Sequence, residues 1–176
     1  MACTLTTGRA LPCKNSVGGI KAIYLADYGT LGALTVTAGE VTAIAGTPTI
    51  FKYDIKGTAN TLETTITSSR DNGSTFYSSA LNVTLPYLDK ASQEEVKIIV
   101  SARPHVFVED YNDNFFLVGA VNGAEIVGGT IVTGGAMGDL SGFTLSFLAE
   151  EKLAPYFVTS TVVTDDESAV QIDPEA

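Results

Sequence analysis

The sequence predicts a mainly β protein, a β-sandwich or barrel with one flanking α-helix. First, 22 Thr, 16 Val and 11 Ile make 49 of the 176 residues β-branched, and stiff χ1 angles favour strands. Second, apolar and polar residues alternate with strand periodicity, most clearly over residues 49–57, where Phe51, Tyr53 and Ile55 share one face. Third, only one segment, about residues 89–103, spaces its apolar residues as a helix does.

Length and charge define the domain organisation. The chain of 176 residues is long enough for one domain, which we place at residues 1–164, followed by an acidic tail at 165–176. The net charge is −10, with −5 in the tail and +3 in a basic N-terminal arm, residues 1–21. A DNA-binding groove needs a dense basic patch, so this charge balance argues against duplex binding.

A long hairpin is predicted over residues 62–85. Residues 62–68 and 75–85 alternate with polar faces, and the Asn72–Gly73 pair between them suits a tight turn because it tolerates positive φ. Polar residues on the faces of both strands indicate that the hairpin is partly exposed.

The predicted helix covers residues 89–103. Ser92 and Glu95 have the spacing of a capping box, and Pro104 ends the helix. The apolar stripe that we expect to face a sheet consists of Val96, Ile99 and Val100. Glu94 and Lys97 should lie in water.

The second half of the chain is predicted to be strand-rich. Residues 105–111, 114–121 and 124–132 read as a three-stranded β-meander, because two tight turns separate them. Residues 143–149 and 156–163 read as a final pair of strands. No segment reaches the roughly 18 apolar residues of a membrane span.

No catalytic or metal-binding constellation is apparent, so we expect no enzyme, cofactor or metal site. His105 lacks a nearby nucleophile and reads as a strand histidine. Asp110, Asn112 and Asn114 have the opening spacing of a calcium loop but lack its glycine and its final glutamate, which favours a hairpin turn. The glycine-rich residues 134–138 lack the lysine of a phosphate loop.

The second half resembles the tail tube proteins of long-tailed bacteriophages. The stretch FLVGAVNGAE, residues 116–125, is similar to that family's hairpin with an Asn-Gly turn. The stretch TGGAMGDLSGFTL, residues 133–145, is similar to its glycine-rich loop leading into a strand, and Glu150 and Glu151 stand where the family often carries acids. The resemblance covers about residues 50–160.

This resemblance implies a structural virion protein that assembles with itself. Members of the family form hexameric rings whose strands line a common inner barrel, and the rings stack into a tube for DNA. The polar hairpin suits the channel wall or a ring contact, since closure across subunits satisfies open edges. We therefore expect Glu63, Arg70 and Asp71 at the lumen or at ring contacts, and DNA to pass without specific binding.

The opposite charges of the two chain ends suggest a second contact, between stacked rings. The residues involved would be Arg9, Lys14 and Lys21 of the arm and Asp165, Asp166 and Glu167 of the tail. The alternative is a tail that only keeps the subunit soluble before assembly.

Two other classes of function are compatible with the sequence. Within virions, a tail terminator or a neck or connector ring protein is an alternative to a tube subunit. A carbohydrate-binding β-sandwich is an alternative of another class, although the chain has no Trp to stack on sugars. The expected location is the virion tail, assembled in the host cytoplasm with other tail proteins and without a membrane partner.

Overall fold

Two β-sheets and two short helices make up the fold of the computed structural model, which describes residues 8, 9, 14, 16–57 and 59–164. In chain order the elements are β1 (Ile20–Ala26), β2 (Leu34–Thr37), β3 (Glu40–Ile44), β4 (Ile50–Asp54), β5 (Thr61–Ser69), β6 (Ser74–Pro86), α1 (Lys90–Ser101), β7 (His105–Asp110), β8 (Phe115–Val118), β9 (Glu125–Val132), β10 (Gly142–Glu151), β11 (Tyr156–Val158) and α2 (Ser160–Thr164). This confirms the predicted mainly β sandwich with a flanking helix.

The two sheets differ in width. The wide sheet has seven strands in the order β2-β3-β11-β8-β7-β1-β4, and the narrow sheet has four in the order β5-β6-β10-β9. Alternate residues of both sheets interdigitate in the main core, which includes Val106 and Val108 from the wide sheet and Phe143 and Phe147 from the narrow one. The wide sheet has a second core on its other face, where Leu31 and Val163 cover Phe107 and Leu117.

The predicted hairpin is confirmed as β5 and β6. They pair in register from Thr61–Asn82 to Ser69–Ser74, and Gly73 adopts a positive φ of 61° in the turn. The neighbouring strand β10 pairs with β6 only as far as Tyr77. The last turn of the hairpin, residues 67–76, therefore extends beyond the rest of the narrow sheet.

The predicted helix is confirmed as α1, but its capping differs from the prediction. Asp89 is the N-cap, since its carboxylate accepts hydrogen bonds from the backbone N–H groups of Ala91 and Ser92. These hydrogen bonds lower the pKa of Asp89, and those from Ser92 have the largest effect. The expected Ser92–Glu95 capping box was therefore wrong by one turn, because an aspartate three residues earlier is an equally good cap.

The apolar stripe of α1 is narrower than predicted. Val96 is buried in the main core and Ile99 packs against it, whereas Val100 is 50% exposed. Glu94 and Lys97 lie in water as expected, joined by an ion pair of 2.6 Å.

The expected β-meander was wrong in its third strand. β7 and β8 form an antiparallel hairpin in the wide sheet, but β9 pairs with β10 in the narrow sheet. Gly119 and Gly123 both have positive φ, and the N–H of Ala124 bonds to the carbonyl of Pro104, so the chain leaves the wide sheet there. Turn composition predicts where a strand ends but not which sheet its successor joins.

The expected final strand pair was wrong as well. β11 does not pair with β10; it lies between β8 and β3 in the wide sheet and ends at Val158. Residues beyond it turn into α2, whose Val163 is buried in the second core. A run of β-branched residues favours strands, but here tertiary burial of a single side chain outweighs that preference.

Candidate assembly surface

The outer face of the narrow sheet, pointing away from the main core, is rich in hydroxyl and amide groups. Cross-strand hydrogen bonds link its side chains: Ser146 donates to Asn82 at 2.7 Å, and the hydroxyls of Thr130 and Thr144 lie 2.6 Å apart. Thr65 and Thr67 are exposed on the same face of β5. The apolar side chains of this face include Leu148 and Ala80, which lie opposite each other in register, and Phe76 near the hairpin turn, which is 36% exposed.

The outer face is also acidic. None of the four strands of the narrow sheet contains Lys, Arg or His. Glu63, Glu125 and Glu150 are exposed on the outer face. The wide sheet, by contrast, carries Lys21, Lys52 and His105. On the strands of this face a polyanion would meet carboxylates and hydroxyls and no basic side chain, whereas Arg70 is exposed in the turn between β5 and β6.

Both edges of the narrow sheet are open. Within the described part of the chain, β5 pairs only with β6, and β9 pairs only with β10. All neighbouring strands in this sheet are antiparallel, so β5 and β9 run in opposite directions. Unpaired backbone N–H and C=O groups at such edges are ready to pair with another strand.

An apolar groove of about 1100 Å³ opens beneath β5. On the wide-sheet side the lining comes from β1, β7 and β8, with Ala154 and Pro155 just before β11. Leu62, Ile66 and Tyr77 line the groove from the hairpin, and Tyr111 and Phe116 line it from the wide sheet. Ile66 is 64% exposed, so a branched apolar side chain faces water at the mouth of the groove.

The opposite side of the sandwich is closed by α1. The helix contacts β9, and Glu95 lies 3.3 Å from the hydroxyl of Tyr53, which belongs to the edge strand β4 of the wide sheet. Burial raises the pKa of Tyr53, and the nearby charge of Glu95 raises it further. The outward face of α1 carries Ile98, which is 69% exposed. One side of the subunit therefore presents a groove, and the other presents a helix with an exposed apolar residue.

The predicted lumen residues lie on or beside the outer face. Glu63 is an exposed residue of β5, opposite Ala80 of β6. Arg70 and Asp71 are exposed in the turn between the two strands. Sequence reasoning missed Glu125 and Glu150 as parts of the same face, since strand order alone brings them beside Glu63. In the sequence, only the alternation of these two glutamates with apolar residues indicates that they point away from the core.

The structure describes three of the six residues predicted to link stacked rings. Arg9 and Lys14 are exposed. Lys21 belongs to β1 and not to an arm: its ammonium group is 2.5 Å from Glu109 and 3.2 Å from Asp113, and these bonds, first that to Glu109, raise its pKa. The charge of Lys21 is thus balanced within the subunit. Asp165, Asp166 and Glu167 lie outside the described residues.

Two motifs considered for ligand binding have their groups engaged internally. The carboxylate of Asp110 accepts hydrogen bonds from backbone and side chain of both Asn112 and Asn114, which builds the β7–β8 turn. Burial alone would raise the pKa of Asp110, but these hydrogen bonds outweigh it and lower the pKa. In the glycine-rich loop, Asp139 accepts from the backbone N–H groups of Gly135 and Ala136, which a phosphate would otherwise need.

His105 is buried in β7 and has both ring nitrogens bonded. Its Nε2 accepts from the N–H of Gly29 at 3.0 Å, and Nδ1 lies 2.6 Å from the carbonyl oxygen of Gly119. This pattern requires the neutral tautomer with the proton on Nδ1. The histidine therefore ties the β1–β2 loop to the turn after β8.

Comparisons with known proteins add no assignment. No protein-family model matches the chain, and no curated protein is significantly similar to it. Across the described residues, no helix is long and apolar enough to cross a bilayer.

Proposed function

We propose that this chain is a structural subunit of a bacteriophage tail tube. Copies assemble into stacked, hexameric rings in the host cytoplasm and form the channel through which DNA leaves the virion, alongside other tail proteins. The resemblance of residues 116–125 and 133–145 to that family motivates the proposal. The observation that carries it is the narrow sheet, which has two open edges of opposite direction and an acidic outer face without bases.

The strand directions favour closure into a ring. Because β5 and β9 are antiparallel to each other, β5 of one copy can pair with β9 of the next and keep every pair antiparallel. Each copy then uses two different edges, so the contact is head-to-tail. Such a contact closes into a ring when a whole number of subunit rotations makes one full turn. Closure removes both exposed edges at once.

The dimensions of such a ring suit a DNA channel. Six copies of the four-stranded sheet make a closed barrel of 24 strands. At roughly 4.8 Å between strands, the backbone-to-backbone diameter is about 37 Å, and more when the strands tilt. The outer face would line the bore, and carboxylates and hydroxyls would let a polyanion slide without release of bound counterions.

The proposal predicts that the purified protein forms rings or tubes, visible by negative-stain electron microscopy at high concentration. Val127 of the edge strand β9 is 63% exposed, and a lysine at a sheet edge opposes pairing with another strand. Val127→Lys should therefore abolish assembly. The matched control is Val121→Lys, because Val121 is 67% exposed but lies in a turn. A wild-type protein that stays monodisperse and monomeric would overturn the proposal.

A terminator or connector ring protein shares the same edge pairing but stops at one ring. Filaments in the micrographs favour the tube subunit, and single rings that never stack favour the alternative. The same experiment therefore separates the two.

A carbohydrate-binding module is supported by one observation, the groove beneath β5. Tyr111 is half-exposed there, and the lining also includes the hydroxyl groups of Thr61 and Thr64. Aromatic faces and hydroxyl groups are typical contacts for sugars. Calorimetry with glycans on the monomeric Val127→Lys variant tests this alternative.

A further inference from the structure

We propose that the groove beneath β5 is filled by helix α1 of a second copy of this chain, with Ile98 as the apolar anchor. The inference rests on the proposed ring, because pairing of β5 with the neighbour's β9 is what brings the helix to the groove.

Topology places the two surfaces together. The groove lies under β5, at one edge of the narrow sheet, and α1 lies against β9, at the other edge. When β9 of a neighbour extends the sheet beyond β5, the neighbour's α1 comes with it. The helix then lies beside Phe116, which lines the groove, and Phe157, which is 51% exposed; the centroids of these two rings are 4.9 Å apart.

The surfaces also match chemically. Ile98 is 69% exposed on the helix, and the groove presents Leu62, Ile66 and Tyr77. Transfer of such side chains from water to an apolar contact is favourable. Charges do not oppose the contact: Glu94 and Lys97 beside Ile98 neutralise each other, and the groove lining contains one base, Lys56, and one acid, Asp110.

Substitution in the helix tests the contact. Ile98→Asp puts a charge into the groove and should raise the protein concentration needed for assembly at least tenfold. Val100→Asp is the matched control, because Val100 is 50% exposed on the same helix. It lies two residues after Ile98, a rotation of about 200° around the helix axis, and therefore points to the other side. We expect Val100→Asp to assemble like the wild type.

A disulfide trap gives a second, independent readout. In a Cys3→Ser, Cys13→Ser background, Ile98→Cys combined with Ile66→Cys should yield a ladder of covalent multimers on oxidation. The cross-link is not expected within one chain, because α1 lies against β9, which is three strand spacings, about 14 Å, from β5, and a disulfide needs Cα atoms within about 7 Å. Val100→Cys with Ile66→Cys should give no ladder.

The outcomes separate this inference from the proposed function. Rings that form equally well with Ile98→Asp, and that give no ladder from the Ile98–Ile66 pair, would overturn the helix contact and leave the ring standing. A wild-type protein without rings would overturn both. Loss of assembly with Ile98→Asp together with the ladder supports the contact.

Discussion

The hydroxyl group of Tyr24 donates a 2.7 Å hydrogen bond to Oε2 of Glu109, and both residues are buried. Oε1 of the same carboxylate is bonded to Lys21. The glutamate is therefore held from both sides on the second core of the wide sheet. These bonds link β1 and β7, which are neighbouring strands of the wide sheet.

Loss of this hydroxyl should destabilise the domain. Tyr24→Phe removes a hydrogen bond to a charged group and is expected to lower the free energy of unfolding by about 2 kcal/mol. The matched control is Tyr28→Phe, because Tyr28 is partly exposed and, among the described residues, its hydroxyl donates to the uncharged carbonyl of Val121 at 3.2 Å. Chemical denaturation measures both. Equal effects of the two variants would contradict the argument.

The two hydrogen bonds of His105 allow a second stability test. His105→Phe keeps a ring but leaves the carbonyl of Gly119 and the N–H of Gly29 without their partner, which should cost about 2 to 4 kcal/mol. His105→Gln can both donate and accept, so we expect it to recover part of the loss. Thermal unfolding of the three proteins decides; a phenylalanine variant as stable as the wild type would show that the bonds contribute little.

Local chemistry was enough to predict the hairpin and the helix from the sequence. An Asn-Gly pair such as Asn72–Gly73 favours a tight turn between two strands because it tolerates positive φ. Pro104 ends the helix because its ring disfavours the helical conformation in the residue before it. These signals act over a few residues, and no other part of the chain is needed to interpret them.

Strand order and the assembly surface could not be predicted in the same way. Residues 105–132 look like one meander, yet β9 leaves for the other sheet, because long-range packing decides the partners of a strand. The open edges, the groove and the shared face of Glu63, Glu125 and Glu150 all follow from that order. Val100 was expected to be buried for a similar reason. The spacing of apolar residues defines which side of a helix is apolar, but it does not show how much of that side the rest of the domain covers.

Acid should weaken the β7–β8 turn through Asp110. The folded state lowers the pKa of this carboxyl from its ordinary 3.8, so its ionised form stabilises the domain above the unfolded-state value. That stability is lost as the pH falls through the folded-state pKa. We expect the difference in unfolding free energy between wild type and Asp110→Asn to be largest above about pH 5 and to shrink below about pH 4. Asp54→Asn, at an exposed carboxylate, is the control. A difference independent of pH would contradict this assignment.

Gly119 should be irreplaceable, whereas Gly128 should not. Gly119 has φ 73°, and a Cβ there would lie 2.5 Å from the carbonyl carbon of Gly123. Gly119→Ala should therefore destabilise by about 2 to 3 kcal/mol, from the left-handed conformation and the clash. Gly128 of β9 has open space around its Cα, so Gly128→Ala should be neutral or stabilise by up to about 1 kcal/mol. Thermal unfolding compares them, and similar melting temperatures for both variants would refute the prediction.

The acidic outer face should govern how assembled tubes treat DNA. Glu63→Lys combined with Glu150→Lys replaces two carboxylates of that face by bases, which should make tubes retain a short duplex at low salt, with an affinity that falls steeply as salt rises. Wild-type tubes should not retain it. Cosedimentation measures binding, and nuclease treatment shows where the DNA lies, because only DNA inside the bore is protected. Asp27→Lys combined with Asp54→Lys, at exposed positions off the narrow sheet, should bind DNA that the nuclease digests. If the duplex held by the Glu63 and Glu150 variant is digested as readily, the outer face does not line the channel.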